Sequence, residues 1–281
     1  MLVLSDLRKS YGALRAGDGL RLAVRRGEAF ALLGPNGAGK TTTISICTGL
    51  LRPDSGSVQL DGTHDPAGHA ARRRMGIAPQ ELALYDDLTA AENLAFFGRV
   101  HGLRGKRLRQ RVDAELEAAG LTDRARSRVD TFSGGMKRRL NLAAALVHEP
   151  ELVFLDEPTV GVDPQSRNAL LERIRALRDA GLTVIYSTHY MEEVEKLCDR
   201  VAIVDHGKLV ALGTVDELVR EHGGPPVITA RVAGELVSQP TTDPAKDLAA
   251  LAARGAVEEL RLDRPGLEAV FLNLTGRRLR D

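Results

Sequence analysis

Gly34-Pro35-Asn36-Gly37-Ala38-Gly39-Lys40-Thr41-Thr42 is the stretch from which the rest of this 281-residue chain is read. Gly34 to Thr41 fit the pattern Gly, any four residues, Gly-Lys-Ser/Thr. The glycines let the backbone turn its N–H groups inward around a phosphate chain, where a Cβ would collide. Lys40 then places a positive charge on the β- and γ-phosphates, and the Thr41 hydroxyl suits Mg²⁺. The flanks fit. Glu28 to Leu33 predicts a buried strand, and Thr41 to Leu50 a helix whose N-terminal dipole adds to anion binding. The stretch implies a nucleoside triphosphate site in an α/β fold.

Other segments fall into place around that site. Leu152 to Leu155 is a continuous apolar strand ending in Asp156-Glu157. Asp156 suits direct or water-mediated contact with Mg²⁺, and Glu157 is placed to polarise a water for attack on the γ-phosphate. Gln80, after the strand Met75 to Ala78, is either a metal- or water-reaching residue or an ordinary loop glutamine. His189, after the apolar strand Leu182 to Ser187, is either a γ-phosphate contact or a structural histidine. Tyr11 either stacks on a purine base or is a half-buried tyrosine on an edge strand. Phe132-Ser133-Gly134-Gly135-Met136 opens a helix, and so forms a second anion-binding N-terminus in the same chain. One triphosphate does not need two cradles in one subunit. A head-to-tail pair does, because each subunit's second cradle caps the nucleotide held by the other.

Composition narrows the class. Lys plus Arg total 39 against 38 Asp plus Glu, for a net charge of +1. That balance, with 4% aromatic residues and no Trp, argues against a nucleic-acid partner. Cys47 and Cys198 lie far apart and read as two reduced thiols of a cytosolic protein. No apolar run approaches the ~18 residues needed to span a bilayer, and no signal peptide is evident at the N-terminus. His64 and His69 read as solvated loop residues. Residues 81–149 read as a helical insertion, with Thr89 and Glu92 predicting a capping box for the helix Ala90 to His101. Gly223-Gly224-Pro225-Pro226 is the expected boundary before a small α+β appendage at 223–281. There the reading predicts strands at Val227 to Val232 and Ala256 to Leu262, and helices from Ala245 and around Val270.

In motif order and content, residues 1–222 resemble the ATP-binding-cassette ATPases, the nucleotide-binding subunits of ABC transporters. The order is Tyr11, the loop 34–42, Gln80, the signature 132–136, Asp156-Glu157, Asp163 and His189. The signature departs from the family's commonest Leu-Ser-Gly-Gly-Gln at Phe132 and Met136 but keeps Ser133, Gly134 and Gly135. Phe132 to Leu140 and the ending Leu267 to Arg277 are similar to the daunorubicin-resistance type of drug exporter. The resemblance implies a phosphate-loop NTPase fold with an N-terminal antiparallel β subdomain, and ATP and Mg²⁺ as cofactors. Gly34, Pro35, Asn36, Gly37, Ala38, Gly39, Lys40, Thr41 and Thr42, with Tyr11, would bind ATP. Thr41, Gln80 and Asp156 would hold the metal, Glu157 would be the general base, and His189 would sense the γ-phosphate. Ser133, Gly134 and Gly135 would act on the ATP of a second copy in a homodimer. A separate permease, touched by the region from Gln80 to Phe97, would keep the chain on the inner face of the cell membrane. Non-transport ATPases of DNA repair or the ribosome, and importers, are the rival readings. The interval from Lys40 to Ser133 lacks the long coiled coil of the repair type, the single cassette is unlike the paired ribosomal type, and the short tail after Gly223 favours export over import.

Overall fold

The computed structural model describes residues 1–62 and 65–279, so His64 lies outside the described residues. The chain divides into two compact units, Met1–Leu212 and Gly213–Asp281.

In the first unit, β1 (Leu2–Tyr11) and β2 (Leu14–Val24) form an antiparallel pair. The strand β3 (Ala29–Leu33) follows, then α1 (Lys40–Cys47). β4 (Ser55–Leu60) returns to pair with β1, giving a three-stranded sheet β2-β1-β4. The predicted helix to Leu50 stops at Cys47 because Gly49 takes φ +70° and packs against the backbone of Ala67. His69 opens the short helix α2 (His69–Arg72), which leads to β5 (Met75–Ala78).

The insertion consists mainly of three helices, α3 (Ala90–Val100), α4 (Gly105–Ala118) and α5 (Gly134–Leu146). Leu94, Leu108, Val112, Leu116 and Leu140 build its own core. The Thr89–Glu92 capping box is present at the start of α3. The chain then alternates β6 (Leu152–Asp156), α6 (Pro164–Asp179), β7 (Thr183–Thr188) and α7 (Met191–Leu197), and ends in β8 (Arg200–Asp205) and β9 (Lys208–Gly213).

Six strands make one sheet in the order β5-β6-β7-β3-β8-β9, with β5 to β8 parallel. Both faces of it are covered, and the strand sequences show why. Phe30, Leu32, Phe154 and Ile185 point into one core, while Ala29, Val153, Leu155, Val184 and Tyr186 point into another. A strand buried on both sides reads as an unbroken apolar run.

The second unit holds α8 (Val215–His222), β10 (Val227–Val232), β11 (Glu235–Pro240), α9 (Pro244–Ala252), β12 (Val257–Asp263) and α10 (Leu267–Thr275). Its sheet runs β11-β10-β12, antiparallel throughout. Ile228, Ala230, Val232 and Leu251 form its core. The sequence reading omits α8 and β11 and divides the chain at Gly223. The division falls ten residues earlier because α8 packs on α10, where the Asn273 amide donates to the His222 carbonyl at 2.8 Å.

Candidate nucleotide site

In an open parallel sheet, ligands gather beyond the carboxyl ends of the strands, where the strand order reverses. Here β3 is that point: the chain leaves it for β5 on one side and returns to β8 on the other. The predicted residues follow the C-terminal ends of four parallel neighbours. Gly34 follows β3, Gln80 follows β5 by two residues, Asp156 ends β6 with Glu157 next, and His189 follows β7.

The loop between β3 and α1 is shaped by two glycines that tolerate no side chain. A Cβ on Gly34 would sit 2.2 Å from the Val204 carbonyl oxygen, and one on Gly39 1.9 Å from that of Ala16. Gly39 also holds φ +100° as the N-cap of α1 and offers no capping side chain. The first-turn N–H groups of α1 are therefore left without intrahelical or side-chain acceptors, which is the arrangement an anion completes. The Lys40 ammonium folds back over the loop, donating to the carbonyls of Gly34 at 2.8 Å and Pro35 at 3.0 Å.

Glu157 meets Lys40 there. Its Oε1 lies 3.1 Å from the ammonium, and its Oε2 lies 3.3 Å from His189 Nδ1, outside hydrogen-bonding geometry. Glu157 is buried and adopts φ +46°, a left-handed conformation that costs a non-glycine residue about 1–2 kcal/mol. Its N–H is fixed by both the carbonyl and the hydroxyl of Ser187, each at 3.1 Å. The same Ser187 hydroxyl donates to Asp156 Oδ1, its register partner across β6 and β7.

Asp156 is 3% exposed, and among the described residues no cation pairs with it. A buried carboxylate without a counter-charge is costly, so its environment fits a cation. No cluster of three or more His, Cys, Asp or Glu among the described residues could hold a metal ion. The Thr41 hydroxyl, the Asp156 carboxylate and the Gln80 amide offer hard oxygen donors of the kind Mg²⁺ takes.

Other predicted residues stand apart from this cluster. Gln80 and Tyr11 are exposed, and the Lys9 ammonium lies over the Tyr11 ring. Ser133 caps α5 by accepting from the Met136 N–H at 3.3 Å. Ser133 and Gly134 face solvent and make no hydrogen bond or ion pair to residues 34–42. Gly135 is buried, and a Cβ there would meet Ser166 Oγ at 2.4 Å.

Three contributors escaped the sequence reading. Ser187 was visible as a hydroxyl ending an apolar strand. Arg138 donates to the carbonyls of Gln80 and Val160. Glu193 is buried and accepts from Thr159, Arg167, Tyr186 and Thr188. It thereby joins the loop after Glu157 to the residue before His189, and no periodicity announces such a role.

Comparison with known proteins identifies the family. Residues 18–160 match the family described as ABC transporter. The chain is 44% identical to the linearmycin resistance ATP-binding protein LnrL of Bacillus subtilis (strain 168), with all of both chains covered. It is 42% identical to the daunorubicin resistance ATP-binding protein DrrA3 of Streptomyces coeruleorubidus, over 98% of this chain and 96% of that one. Among solved structures, the dimeric MJ0796, described as a bacterial ABC transporter cassette, superposes with a TM-score of 0.71 at 25% identity. That match covers 76% of this chain and 98% of that one.

Proposed function

The chain belongs to the ABC transporter family as an ATP-binding, ATP-hydrolysing cassette, and from that premise we propose that it drives an exporter of the drug- or antibiotic-resistance type as a head-to-tail homodimer beneath a separate permease. The observation that carries the reading is the pair of helix N-termini in one chain. That of α1 backs onto Lys40, Glu157 and His189. That of α5 presents Ser133 and Gly134 to solvent, away from its own cradle.

In this reading Gly34 to Thr42 wrap the phosphates, Lys40 neutralises them, and Tyr11 stacks on the base. Glu157 takes the proton of the attacking water, and His189 holds the γ-phosphate. Thr41, Asp156 and Gln80 would hold Mg²⁺, which when bound offsets phosphate charge. Ser133, Gly134 and Gly135 complete the site of the other copy. Closure of the dimer around ATP then supplies the difference in binding energy between open and closed states that can do work on a partner.

Export of a drug or antibiotic is supported by the two resistance relatives, which align along nearly the whole chain. A permease surface is supported by exposed apolar side chains near Gln80. Leu50, Tyr85, Phe96 and Val100 are exposed, and Leu50, Ile77, Ala83, Phe97 and Val100 line a cavity of about 270 Å³. No helix among the described residues is long and apolar enough to cross a membrane, so a peripheral place on the inner face of the membrane would come through that permease.

Light scattering of Glu157→Gln with ATP and Mg²⁺ tests the reading. The substitution keeps the shape of the site and removes the base, so the mass should double with ATP and fall back on its withdrawal. A variant that binds ATP yet stays monomeric overturns the two-cradle argument.

A further inference from the structure

Two functional segments of this chain are fastened to one helix. Arg138, in the second turn of α5, donates from Nη1 to the Gln80 carbonyl at 2.6 Å and from Nη2 to the Val160 carbonyl at 3.3 Å. Asn141, one turn further along the same face, donates to the Pro79 carbonyl at 3.2 Å and accepts from the Ala83 N–H at 3.3 Å. The backbone on both sides of Gln80 is thus bonded to α5. Val160 in turn donates its N–H to the Glu157 carbonyl at 3.3 Å, closing a tight turn behind the strained Glu157. We propose that Arg138 is a positioning residue that makes the Gln80 segment and the loop carrying Glu157 follow α5, the helix whose Ser133 end engages the second copy.

The chemistry of the side chain suits this task. A guanidinium is a planar fork with separate donors, so it can hold two carbonyls on different loops at once, whereas an ammonium is a single point charge. Arg138 is half-buried, and burial lowers its pKa while the charge of Glu157 opposes that shift. It therefore lies within the field of the general base without touching the reacting atoms. The consequence is directional. When α5 moves onto the nucleotide of the partner, the same rigid body carries Gln80 and the turn behind Glu157, so capture of one nucleotide accelerates hydrolysis of the other. This inference rests on the reading of Glu157 as the base and of α5 as the partner-facing helix.

The test compares Arg138→Ala and Arg138→Lys with the natural chain for nucleotide affinity, unfolding midpoint, kcat, KM and the Hill coefficient for ATP. A base displaced by about 1 Å loses on the order of a hundredfold in rate. Arg138→Ala should therefore lose about ten- to a hundredfold in kcat, with its Hill coefficient falling towards one and its affinity for a fluorescent ATP analogue unchanged. Arg138→Lys, which can satisfy one carbonyl at a time, should recover part of kcat. The proposal is overturned if Arg138→Ala turns over at the natural rate. It is equally overturned if kcat falls only in step with affinity and unfolding midpoint, or if Arg138→Lys is as impaired as Arg138→Ala. Glu157→Gln, assayed alongside, separates the two claims: natural turnover there overturns the underlying reading, whatever Arg138 does.

Discussion

Lys40 and Glu157 form an ion pair inside the protein, with Nζ 3.1 Å from Oε1 and side chains only 4% and 6% exposed. Each charge is the other's compensation. Removing one member leaves the other buried and unpaired, which costs about 3–5 kcal/mol, while removing both costs far less. Lys40→Met should therefore lower the unfolding free energy by about 3 kcal/mol, and adding Glu157→Gln should return most of it. Urea denaturation of the four proteins of this double-mutant cycle measures the coupling. Additive losses would show that the two charges are independently solvated.

The glycines of the phosphate loop should differ sharply. At Gly39 an added methyl meets the Ala16 backbone at 1.9 Å, and backbone cannot rotate away. Gly39→Ala is expected to abolish ATP binding and lower the unfolding midpoint. Gly37 also has positive φ, +79°, but a methyl there meets nothing within 4 Å. Gly37→Ala should fold, at a conformational cost of about 1 kcal/mol. Nucleotide titration and thermal melts of both variants check the contrast, which fails if the two behave alike.

Stability should fall as pH drops from 6.5 towards 4, through His148. Burial above all, and then the neighbouring His101, push its pKa from 6.5 down to about 4, and Arg111 adds to the effect. The two rings stack with centroids 3.6 Å apart, and His148 Nε2 lies 3.0 Å from the Met75 carbonyl oxygen. Above pH 6.5 His148 is neutral folded and unfolded, and contributes no pH dependence. Between 6.5 and 4 the unfolded chain binds the extra proton, so stability declines with falling pH at up to about 1.4 kcal/mol per unit. His101 is also lowered, by burial and then by Arg73, and acts in the same direction. In urea melts at pH 7.5 and 5, His148→Leu should show a much smaller drop than the natural chain. An equal drop would assign the effect elsewhere.

The parts of the site that lie in contiguous sequence were legible, and those assembled across strands were not. β3, β6 and β7 announce themselves because a strand buried on both faces must be apolar throughout, and the residues after each strand end in the site. Thr89 and Glu92 predicted the start of α3 because a capping box is a local exchange of hydrogen bonds. The same signal at Thr214 and Glu217 marks α8, which the sequence reading passed over. β11 hides because it is an edge strand whose side chains are all exposed or half-buried, and Val237 alone among them packs on the core of the second unit. Ser187, Arg138 and Glu193 act through partners 30, 58 and 34 residues away in the chain, at Glu157, Gln80 and Thr159. Spacing within a segment carries no trace of such contacts; only the register of β6 against β7 and the docking of α5 and α7 create them.

Mixing two inactive variants should restore hydrolysis if the dimer is head-to-tail. Lys40→Ala removes the charge from one cradle and leaves Ser133 intact. Ser133→Arg puts a bulky cation where α5 caps the other copy's nucleotide and leaves Lys40 intact. Each variant alone forms dimers in which both composite sites are defective. In a mixed dimer both defects fall together in one site, and the other combines a natural Lys40 with a natural Ser133. Ser133 is exposed and serves its own chain only as an N-cap, where loss of a cap costs about 1 kcal/mol, so the variant should remain folded. Phosphate release measured while the ratio of the two proteins is varied should pass through a maximum near equal amounts. A flat response at zero, with both variants folded and exchanging subunits, would mean that Ser133 serves the nucleotide of its own chain.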